Sequence, residues 1–321
     1  MTIHIGIVMD DINHIKTVKD SSFAMMLAAQ KKGWVIHYMQ QYDLYTTNKS
    51  AHANTQQIRV TDDESNYFEI VAESTIELKD LDVIIMRKDP PFDIEYITTT
   101  YILDMAHQAG TLVVNQPSSL RDYNEKMFIT QFPQCCTPLL ISRDSDKLRN
   151  FVSEHEDVIL KPLDGMGGTS IFRVNPQDPN LSVILETITQ YNKKTVMAQC
   201  FIPEITQGDK RILLIDGNPV PYALARIPAE GETRGNLAAG ANSVGLALSD
   251  NDLWICEQIA PTLKEKGILF AGIDVIGNYL TEINITSPTC IRELDTLYDL
   301  DIASQLLDCI EDQIVKHKSS V

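Results

Sequence analysis

The chain has 321 residues, which is too many for one compact core, so its length predicts two or three domains. Its hydrophobic fraction of 44% and charged fraction of 22% are those of an ordinary globular protein, and no apolar run reaches membrane-spanning length. The formal net charge of −17 argues against binding to nucleic acid or to an anionic membrane, because both require broad basic surfaces. We therefore predict that neither is a partner.

The amino terminus and the cysteines favour a cytoplasmic protein. The apolar run Thr2–Met9 has no basic lead and no small-residue cleavage site, and Asp10 and Asp11 end it, so we interpret it as a buried strand rather than a signal peptide. None of the six cysteines forms a C-x-x-C pair, and Cys135 and Cys136 are adjacent, which is atypical of zinc sites and of disulfide frameworks. Reduced cytosolic thiols account for this pattern.

Short strands and helices alternate in the first third of the chain, which predicts a mostly parallel, doubly wound sheet. The predicted elements are Ile3–Met9, Ser21–Lys32, Trp34–Met39, Val83–Met86, Ile97–Gln108 and Thr111–Asn115. We expect Ser21 or Ser22 to cap the first helix and Gly33 to follow its end. The polar stretch Thr46–Asn66 interrupts the alternation and is interpreted as an edge hairpin.

The pattern changes after Arg121 to antiparallel strands joined by short turns. The predicted elements are the helix Lys126–Phe132, the strands Val158–Lys161, Val196–Ile202, Arg211–Ile215, Val220–Arg226, Ile273–Ile276 and Leu280–Ile285, and the helix Ile302–Val315. Between two of these strands, Pro228–Gly245 is rich in glycine and has neither helical nor strand periodicity. A loop of this length is uncommon unless it is a lid or a disordered segment.

A glycine loop, Gly165, Met166, Gly167 and Gly168, follows the strand that ends near Lys161. Backbone N–H groups in such a loop can converge on phosphate oxygens, and a lysine just before the loop can reach the same phosphates. The loop is not a Walker A sequence, and a plain hairpin connection remains an alternative. Lys126 alone would be an ordinary surface lysine, and only the company of Lys161 suggests a role for it.

Asp274, Glu282 and Asn284 form the strongest constellation. Glu282 and Asn284 are two apart on one strand and so share a face, and Asp274 joins them if the turn Gly277-Asn278-Tyr279 is a three-residue loop. A two-residue turn would put Asp274 on the opposite face. An all-oxygen set suits Mg²⁺ or Mn²⁺, whereas a solvent-facing hairpin is the structural alternative.

Basic residues cluster around the same strands. Arg211 opens one strand, Arg226 ends another, and Arg234 lies in the glycine-rich segment, where it could close on developing charge during phosphoryl transfer. Arg87 lies at the carboxyl end of a predicted parallel strand, where it could hold a substrate carboxylate or form a structural ion pair. Arg292 follows the predicted strand Leu280–Ile285, which contains the metal candidates Glu282 and Asn284.

The strand that contains Gln199, Cys200, Phe201 and Ile202 ends ahead of Pro203. An exposed backbone edge with apolar flanks would suit an adenine ring, which needs one donor, one acceptor and an apolar slot. A plain core strand explains the same residues equally well.

In this order, the motifs resemble the ATP-grasp superfamily and, within it, the bacterial glutathione synthetases. The matching runs are 19–25, 86–93, 124–126, 159–168, 231–240 and 280–293, so the resemblance spans nearly the whole chain. It implies an α/β protein that is α+β in its ATP-binding part. A parallel-sheet pre-ATP-grasp domain (1–121) would precede an ATP-grasp fold of two α+β subdomains, 122–200 and 201–321, with a flexible loop at 228–245.

The resemblance also implies a reaction, in which ATP, γ-glutamylcysteine and glycine give glutathione, ADP and phosphate through an acyl phosphate. It assigns phosphate contacts to Lys126, Lys161 and Gly165–Gly168, adenine to Gln199–Ile202, ribose to Asp209, and Mg²⁺ or Mn²⁺ to Asp274, Glu282 and Asn284. Arg211, Arg226 and Arg234 would act at the reacting centre, and Arg87 and Arg292 would bind dipeptide carboxylates. The family further suggests a homo-oligomer, with a tetramer as one option.

Two other functions stay open at this point. Another ATP-grasp carboxylate–amine ligase would share the ATP and metal residues, although the runs Asp20–Met25 and Arg87–Phe92 match glutathione synthetases specifically. A non-catalytic ATP-binding scaffold would be expected to lose a metal ligand or the lid arginine, and Arg234 and the three metal candidates are all present.

Overall fold

Three β-sheets follow one another along the chain. The computed structural model describes residues 2–48, 50–165, 168–229 and 242–318. The sheets have seven, four and five strands and are built within residues 4–114, 139–200 and 209–284. No helix in these described ranges is both long enough and apolar enough to cross a lipid bilayer.

The first sheet is parallel at its centre and antiparallel at one edge. Its elements, with the helices between them, are β1 (His4–Val8), α1 (Ser21–Lys31), β2 (Val35–Met39), β3 (Leu44–Thr47), β4 (Ser50–Val60), β5 (Phe68–Glu77), β6 (Val83–Met86), α2 (Ile94–Gln108), β7 (Leu112–Val114) and α3 (Pro117–Asp122). The strands β2, β1, β6 and β7 are parallel neighbours, as the alternation predicts. The four are nearly continuous apolar runs because the helices cover both faces.

The polar excursion is larger than the predicted edge hairpin. The strand β4 pairs with β2 and β3 on one side and with β5 on the other, so β5 forms the edge. Side chains along β5 are mostly exposed and include Glu69, Glu73 and Glu77. The glutamates place negative charge on this edge strand, which opposes pairing with another chain.

The cap of α1 and the start of α2 both lie earlier in the chain than predicted. Asp20, rather than Ser21 or Ser22, caps α1, because its carboxylate accepts a hydrogen bond from the Phe23 N–H at 2.7 Å. Asp93 caps α2 in the same way through the Tyr96 N–H at 2.9 Å, so that helix begins at Ile94 instead of Ile97. A side-chain acceptor therefore sets each start.

The second sheet is fully antiparallel in the order β10-β9-β11-β8. Its elements are β8 (Leu139–Ser142), α4 (Ser145–His155), β9 (Val158–Pro162), β10 (Phe172–Val174), α5 (Leu181–Ile188) and β11 (Val196–Cys200). The α-helix predicted at Lys126–Phe132 is wrong, since this stretch is a turn followed by the 3-10 helix Phe128–Gln131. The Asn124 side chain explains the difference, because its oxygen accepts the N–H groups of both Lys126 and Met127 at 3.0 Å.

The third sheet is antiparallel in the order β14-β13-β12-β15-β16. Its elements are β12 (Asp209–Ile215), β13 (Asn218–Ile227), β14 (Asn242–Ala247), α6 (Asp250–Glu265), β15 (Phe270–Ile276), β16 (Tyr279–Asn284), α7 (Ile291–Tyr298) and α8 (Ile302–Lys318). The end of the predicted flexible loop is wrong, because residues 242–245 belong to β14, which pairs with β13. The middle of that loop, 230–241, lies outside the described residues.

The β15–β16 hairpin reaches the predicted face by a different route. Its turn has two residues, since Ile276 pairs with Tyr279, and such a turn alone would misplace Asp274. A bulge at Thr281 compensates, because Val275 pairs with Leu280 whereas Asp274 pairs with Glu282.

One buried side chain joins the first sheet to the third. The Asn115 amide nitrogen donates to the carbonyl oxygens of Phe270 (2.7 Å) and Ile285 (2.8 Å). Its oxygen accepts from the N–H groups of Leu269 (2.8 Å) and Phe270 (2.9 Å). All four hydrogen-bonding positions of this amide are used, so Asn115 fixes where β7 ends relative to β15 and β16.

We expect Asn115→Ala to lower the free energy of unfolding by about 3 kcal/mol or more, because several buried backbone groups lose a partner. Asn54→Ala is the matched control, since Asn54 is exposed on β4 and accepts only the Thr75 hydroxyl among the described side chains. Urea unfolding of both variants measures the difference. Equal stability of the two would show that the Asn115 contacts do not join the sheets.

Candidate active site

A cavity of about 340 Å³ is lined by residues from all three parts of the chain. The predicted site residues that line it are Lys126, Lys161, Gly165, Gly168, Gln199, Cys200, Phe201, Ile202, Asp209, Arg211, Arg226, Asp274, Glu282 and Asn284. Arg234, Met166 and Gly167 lie outside the described residues. The fold thus brings together most of the residues that the sequence singled out.

Asp274 lies at the centre of a buried ion-pair network. The Arg211 guanidinium donates to both of its carboxylate oxygens, at 2.5 and 3.0 Å, and Arg226 lies 2.9 Å from one of them. Burial alone would raise the pKa of Asp274, but the two guanidinium groups outweigh it and hold that pKa below its usual range. Asp274 therefore stays ionised.

Strand register and one glycine create this network. Arg211 pairs directly with Asp274 between β12 and β15, and Arg226 pairs with Asp209 between β13 and β12. A Cβ atom at Gly272 would lie 2.9 Å from Arg211 Cδ, so only glycine leaves room for the arginine side chain.

Asp209 has one oxygen engaged and one free. Arg226 Nη2 donates to Oδ2 at 2.5 Å, whereas Oδ1 is buried without a hydrogen-bond partner among the described residues. Burial raises the pKa of Asp209 to about 7, against the Arg226 charge. An unpaired buried acceptor in a cavity wall suits a ligand hydroxyl.

The two predicted phosphate lysines are both buried but differ in their partners. Lys126 Nζ contacts Glu125 at 2.8 Å, Glu282 at 3.5 Å and the Gly165 carbonyl at 2.9 Å. Burial would lower the pKa of Lys126, but the two carboxylates outweigh it and raise that pKa. Among the described residues, the only hydrogen bond of Lys161 Nζ is a long one of 3.4 Å to the Thr281 carbonyl, and burial lowers the pKa of Lys161. Lys161 is thus a buried cation with little compensation.

The candidate metal ligands share one wall of the cavity. Asp274 and Glu282 face each other across the hairpin, and the Asn284 amide lies 3.4 Å from Asp274. Across the described ranges, no group of three His, Cys, Asp or Glu side chains is placed to hold a metal ion. The set here contains two carboxylates and one amide oxygen, which is a donor type that Mg²⁺ accepts.

The candidate adenine segment does not have the predicted exposed edge. Its strand, β11, ends at Cys200 and lies inside the sheet, paired with β8 and β9. The apolar slot is nevertheless present, since Ile159, Phe201, Ile202, Ile205 and Ile276 line the cavity. A planar ring could therefore reach the backbone that follows the end of β11, but not a free edge of that strand.

Arg87 lies against the cavity wall without lining it. Its Nε donates to the Ser22 hydroxyl at 3.0 Å, and its Nη2 donates to the carbonyl of the lining residue Pro288 at 2.9 Å. Among the described residues, its buried Nη1 has no hydrogen-bond partner, and no carboxylate lies within ion-pair distance of the guanidinium. A buried guanidinium in this state would gain from an anionic ligand.

Arg292 is not brought to the cavity. It lies in a separate depression, where its Nη2 is 2.9 Å from both oxygens of Asp62 and its guanidinium faces the Phe23 ring. Arg292 is the second residue of α7, which begins at Ile291 and leads the chain away from the cavity. A structural ion pair, rather than a substrate contact, describes Arg292.

Sequence reasoning missed two carboxylates of the cavity wall. Glu125 bonds to Lys126, and Asp89 lies two residues after Arg87 at the end of β6. Both residues lie inside runs that carry the family resemblance, so the sequence did contain a sign of their importance. An acidic residue beside a basic one, however, is most simply interpreted as charge balance. The loop of Ser287 to Cys290 also lines the cavity unforeseen.

Comparisons with known proteins agree with this arrangement. The family model for the N-terminal domain of prokaryotic glutathione synthetase matches residues 3–121, and the model for its ATP-grasp domain matches residues 125–299. The glutathione synthetase of Pseudomonas aeruginosa is 58% identical over 314 residues, covering 98% of this chain and 99% of that protein. The glutathione synthetase of Pseudomonas syringae pv. tomato is 58% identical over 318 residues, covering 99% and 100%.

More distant solved structures show the same fold. A D-cycloserine synthetase superposes with a TM-score of 0.67 at 11% identity, covering 97% of this chain and 99% of its own. The ATP-grasp ligase PsnB, solved with a minimal precursor, Mg and ADP, gives 0.62 at 15% identity, covering 97% and 98%. The predicted ATP-grasp fold is confirmed, and the chain belongs to the prokaryotic glutathione synthetase family.

Proposed function

We propose that this chain joins γ-glutamylcysteine to glycine at the expense of ATP, giving glutathione, ADP and phosphate. The main support is that one cavity is lined by four cations, Lys126, Lys161, Arg211 and Arg226, and by a wall rich in oxygen ligands. Relatives of this chain at 58% identity are glutathione synthetases. A polyanionic nucleotide needs those cations, because the net charge of −17 would otherwise repel it.

The nucleotide is held along the second and third sheets. Lys126 and Lys161 neutralise its phosphates, and the loop 165–168 covers them with backbone N–H groups. The segment 199–202 and its apolar neighbours hold adenine, and the free oxygen of Asp209 accepts a ribose hydroxyl. The support for these roles is that their described members line one cavity.

Asp274, Glu282 and Asn284 would hold a divalent metal ion, Mg²⁺ or Mn²⁺. Their all-oxygen chemistry and common wall fit such an ion, although Asp274 would share its oxygens with Arg211 and Arg226. When bound, the ion supplies positive charge to the phosphate oxygens and orients them.

Chemistry follows from charge and position. The cysteinyl carboxylate of the dipeptide attacks the γ-phosphorus, ADP leaves, and an acyl phosphate forms. The glycine amine then adds to the acyl carbon, loses its proton and displaces phosphate. Arg211 and Arg226 stabilise the negative charge that develops in both steps, and we assign Arg234 the same task from the sequence. The segment 228–245 would exclude water that could hydrolyse the acyl phosphate.

Arg87 binds a carboxylate of the dipeptide. Support comes from its unpaired buried Nη1 and from its bonds to Ser22 and Pro288, which hold the guanidinium beside the cavity. Arg292 has no part in this proposal, because Asp62 already neutralises it outside the cavity.

We further propose that 1–121, 122–200 and 201–321 act as a substrate domain and two clasping subdomains. A homo-oligomer, with a tetramer as one option, and a cytoplasmic location complete the proposal. The six cysteines, all free, fit a reducing compartment.

The function is tested by phosphate release from ATP with γ-glutamylcysteine, offering no amine, glycine or D-alanine. We expect release to depend on glycine, with glutathione formed in equal amount. Release with D-alanine at the same rate would assign another ligase activity. Nucleotide binding without release would leave only a scaffold.

Nucleotide and metal should bind cooperatively. Asp274 and Glu282 form ion pairs with the cations that the phosphates need, and a metal ion bound to these carboxylates would free those cations for the phosphates. We expect a non-hydrolysable ATP analogue to bind about tenfold more tightly with Mg²⁺ present than without it, as measured by calorimetry. Glu282→Gln should shrink this difference. Equal affinities with and without the metal in the unaltered protein would contradict the idea that metal and phosphates replace the internal ion pairs.

Alkaline pH should weaken ATP binding before ordinary lysines titrate. The pKa of Lys161 is lowered by burial, so its ammonium loses its proton, and its phosphate contact, as the pH rises through that lowered value. We expect kcat/KM for ATP to fall there, and Lys161→Arg to remove the fall because guanidinium stays charged. Lys126→Arg is the control and should keep the fall, since the pKa of Lys126 is raised.

A further inference from the structure

One carboxylate of the cavity wall has no cationic partner. Five acidic side chains line the cavity, namely Asp89, Glu125, Asp209, Asp274 and Glu282. The last four each pair with a lysine or arginine. Within the described ranges, no lysine, arginine or histidine nitrogen lies within ion-pair distance of the Asp89 carboxylate, so Asp89 differs from its neighbours.

The backbone of Asp89 is held firmly where β6 ends. Its N–H donates to Asp10 Oδ2 at 3.0 Å, and Lys88 bridges Asp10 Oδ1 at 2.8 Å and the Asp89 carbonyl at 2.6 Å. Lys88 is therefore used to fix the segment and does not neutralise the Asp89 carboxylate. The side chain lines the cavity beyond the end of a parallel strand, which is where open sheets of this kind bind ligands.

Arg87 and Asp89 together offer one charge of each sign. Arg87 Nη1 is buried without a hydrogen-bond partner among the described residues. Burial raises the pKa of Asp89, and the Arg87 guanidinium opposes this rise only through space. The Ser287 hydroxyl donates to Asp89, but the two charged groups do not pair with each other, so both charges remain available to an outside ligand. A ligand with a carboxylate and an ammonium on one carbon matches such a pair, because each charge meets its opposite.

We propose that Asp89 binds the α-ammonium of the γ-glutamyl residue, while Arg87 takes the α-carboxylate on the same carbon. This assignment deepens the proposed function and rests on it, since the γ-glutamyl link leaves that amino-acid head free. Each of the other carboxylates of the wall already pairs with a lysine or an arginine, and the free oxygen of Asp209 is assigned above to a ribose hydroxyl. Asp89 thereby selects peptides that begin with an intact amino-acid head.

The test compares γ-glutamylcysteine with glutarylcysteine, which keeps the carboxylate but lacks the ammonium. In Asp89→Asn we expect kcat/KM for γ-glutamylcysteine to fall by about 10- to 100-fold, as for a lost charged hydrogen bond. The value for glutarylcysteine should change less than twofold, which also shows that the variant is folded. Asp93→Asn is the matched control, because asparagine still caps α2, and it should leave both values unchanged.

Equal losses for both peptides in Asp89→Asn would overturn the proposal, as would a loss confined to KM for glycine or no loss at all. The Arg87 assignment is tested separately with 4-aminobutyrylcysteine, which keeps the ammonium but lacks the carboxylate. Arg87→Gln should erase the preference for γ-glutamylcysteine over this analogue. Glutathione formation by the unaltered protein decides the proposed function itself, so the three failures can be told apart.

Discussion

The pairing of three cations, Lys126, Arg211 and Arg226, with four carboxylates inside one cavity is the constraint on which the site depends. Lys126, Lys161, Arg211 and Arg226 must remain charged in order to hold phosphates, yet burying an uncompensated charge is costly. Glu125, Asp209, Asp274 and Glu282 supply this compensation to Lys126, Arg211 and Arg226, whereas Lys161 pairs with none of them. Mg-ATP brings both signs of charge, so it can replace these internal pairs without leaving either set unpaired.

Such a network requires a rigid frame, because ion pairs offset desolvation only when their geometry is good. Strand register provides it: Arg211 and Asp274 lie opposite each other on β12 and β15, and Gly272 leaves space for the arginine. The Thr281 bulge then returns Glu282 to the face of Asp274. Asn115 anchors the same two strands, β15 and β16, to the first sheet. Substrate-side and nucleotide-side walls are thereby kept in fixed relation.

Much of this could be predicted from sequence, and the failures share one cause. Apolar periodicity located the parallel strands of the first sheet and the hairpin strands of the third, and residue chemistry located the cations and metal candidates. What failed depends on individual hydrogen bonds and strand pairings of the backbone. Asn124 bonds to backbone N–H groups and replaces a helix by a turn, the bulge at Thr281 restores a register that the turn length would have broken, and pairing on both sides places β11 inside its sheet. Periodicity carries no information about such contacts.

The unpaired charges at Arg87 and Asp89 have a different origin from the paired ones. In the nucleotide part, internal pairing is compatible with function because the incoming ligand carries both signs at separate atoms. At the end of β6, internal pairing would instead compete directly with a zwitterion, since a zwitterion presents both charges to the same two groups. Ser22 and Pro288 hold Arg87, and Asp10 holds the Asp89 backbone. The two charges are thus kept apart by neutral or backbone bonds, so the energy of pairing them remains available to the substrate.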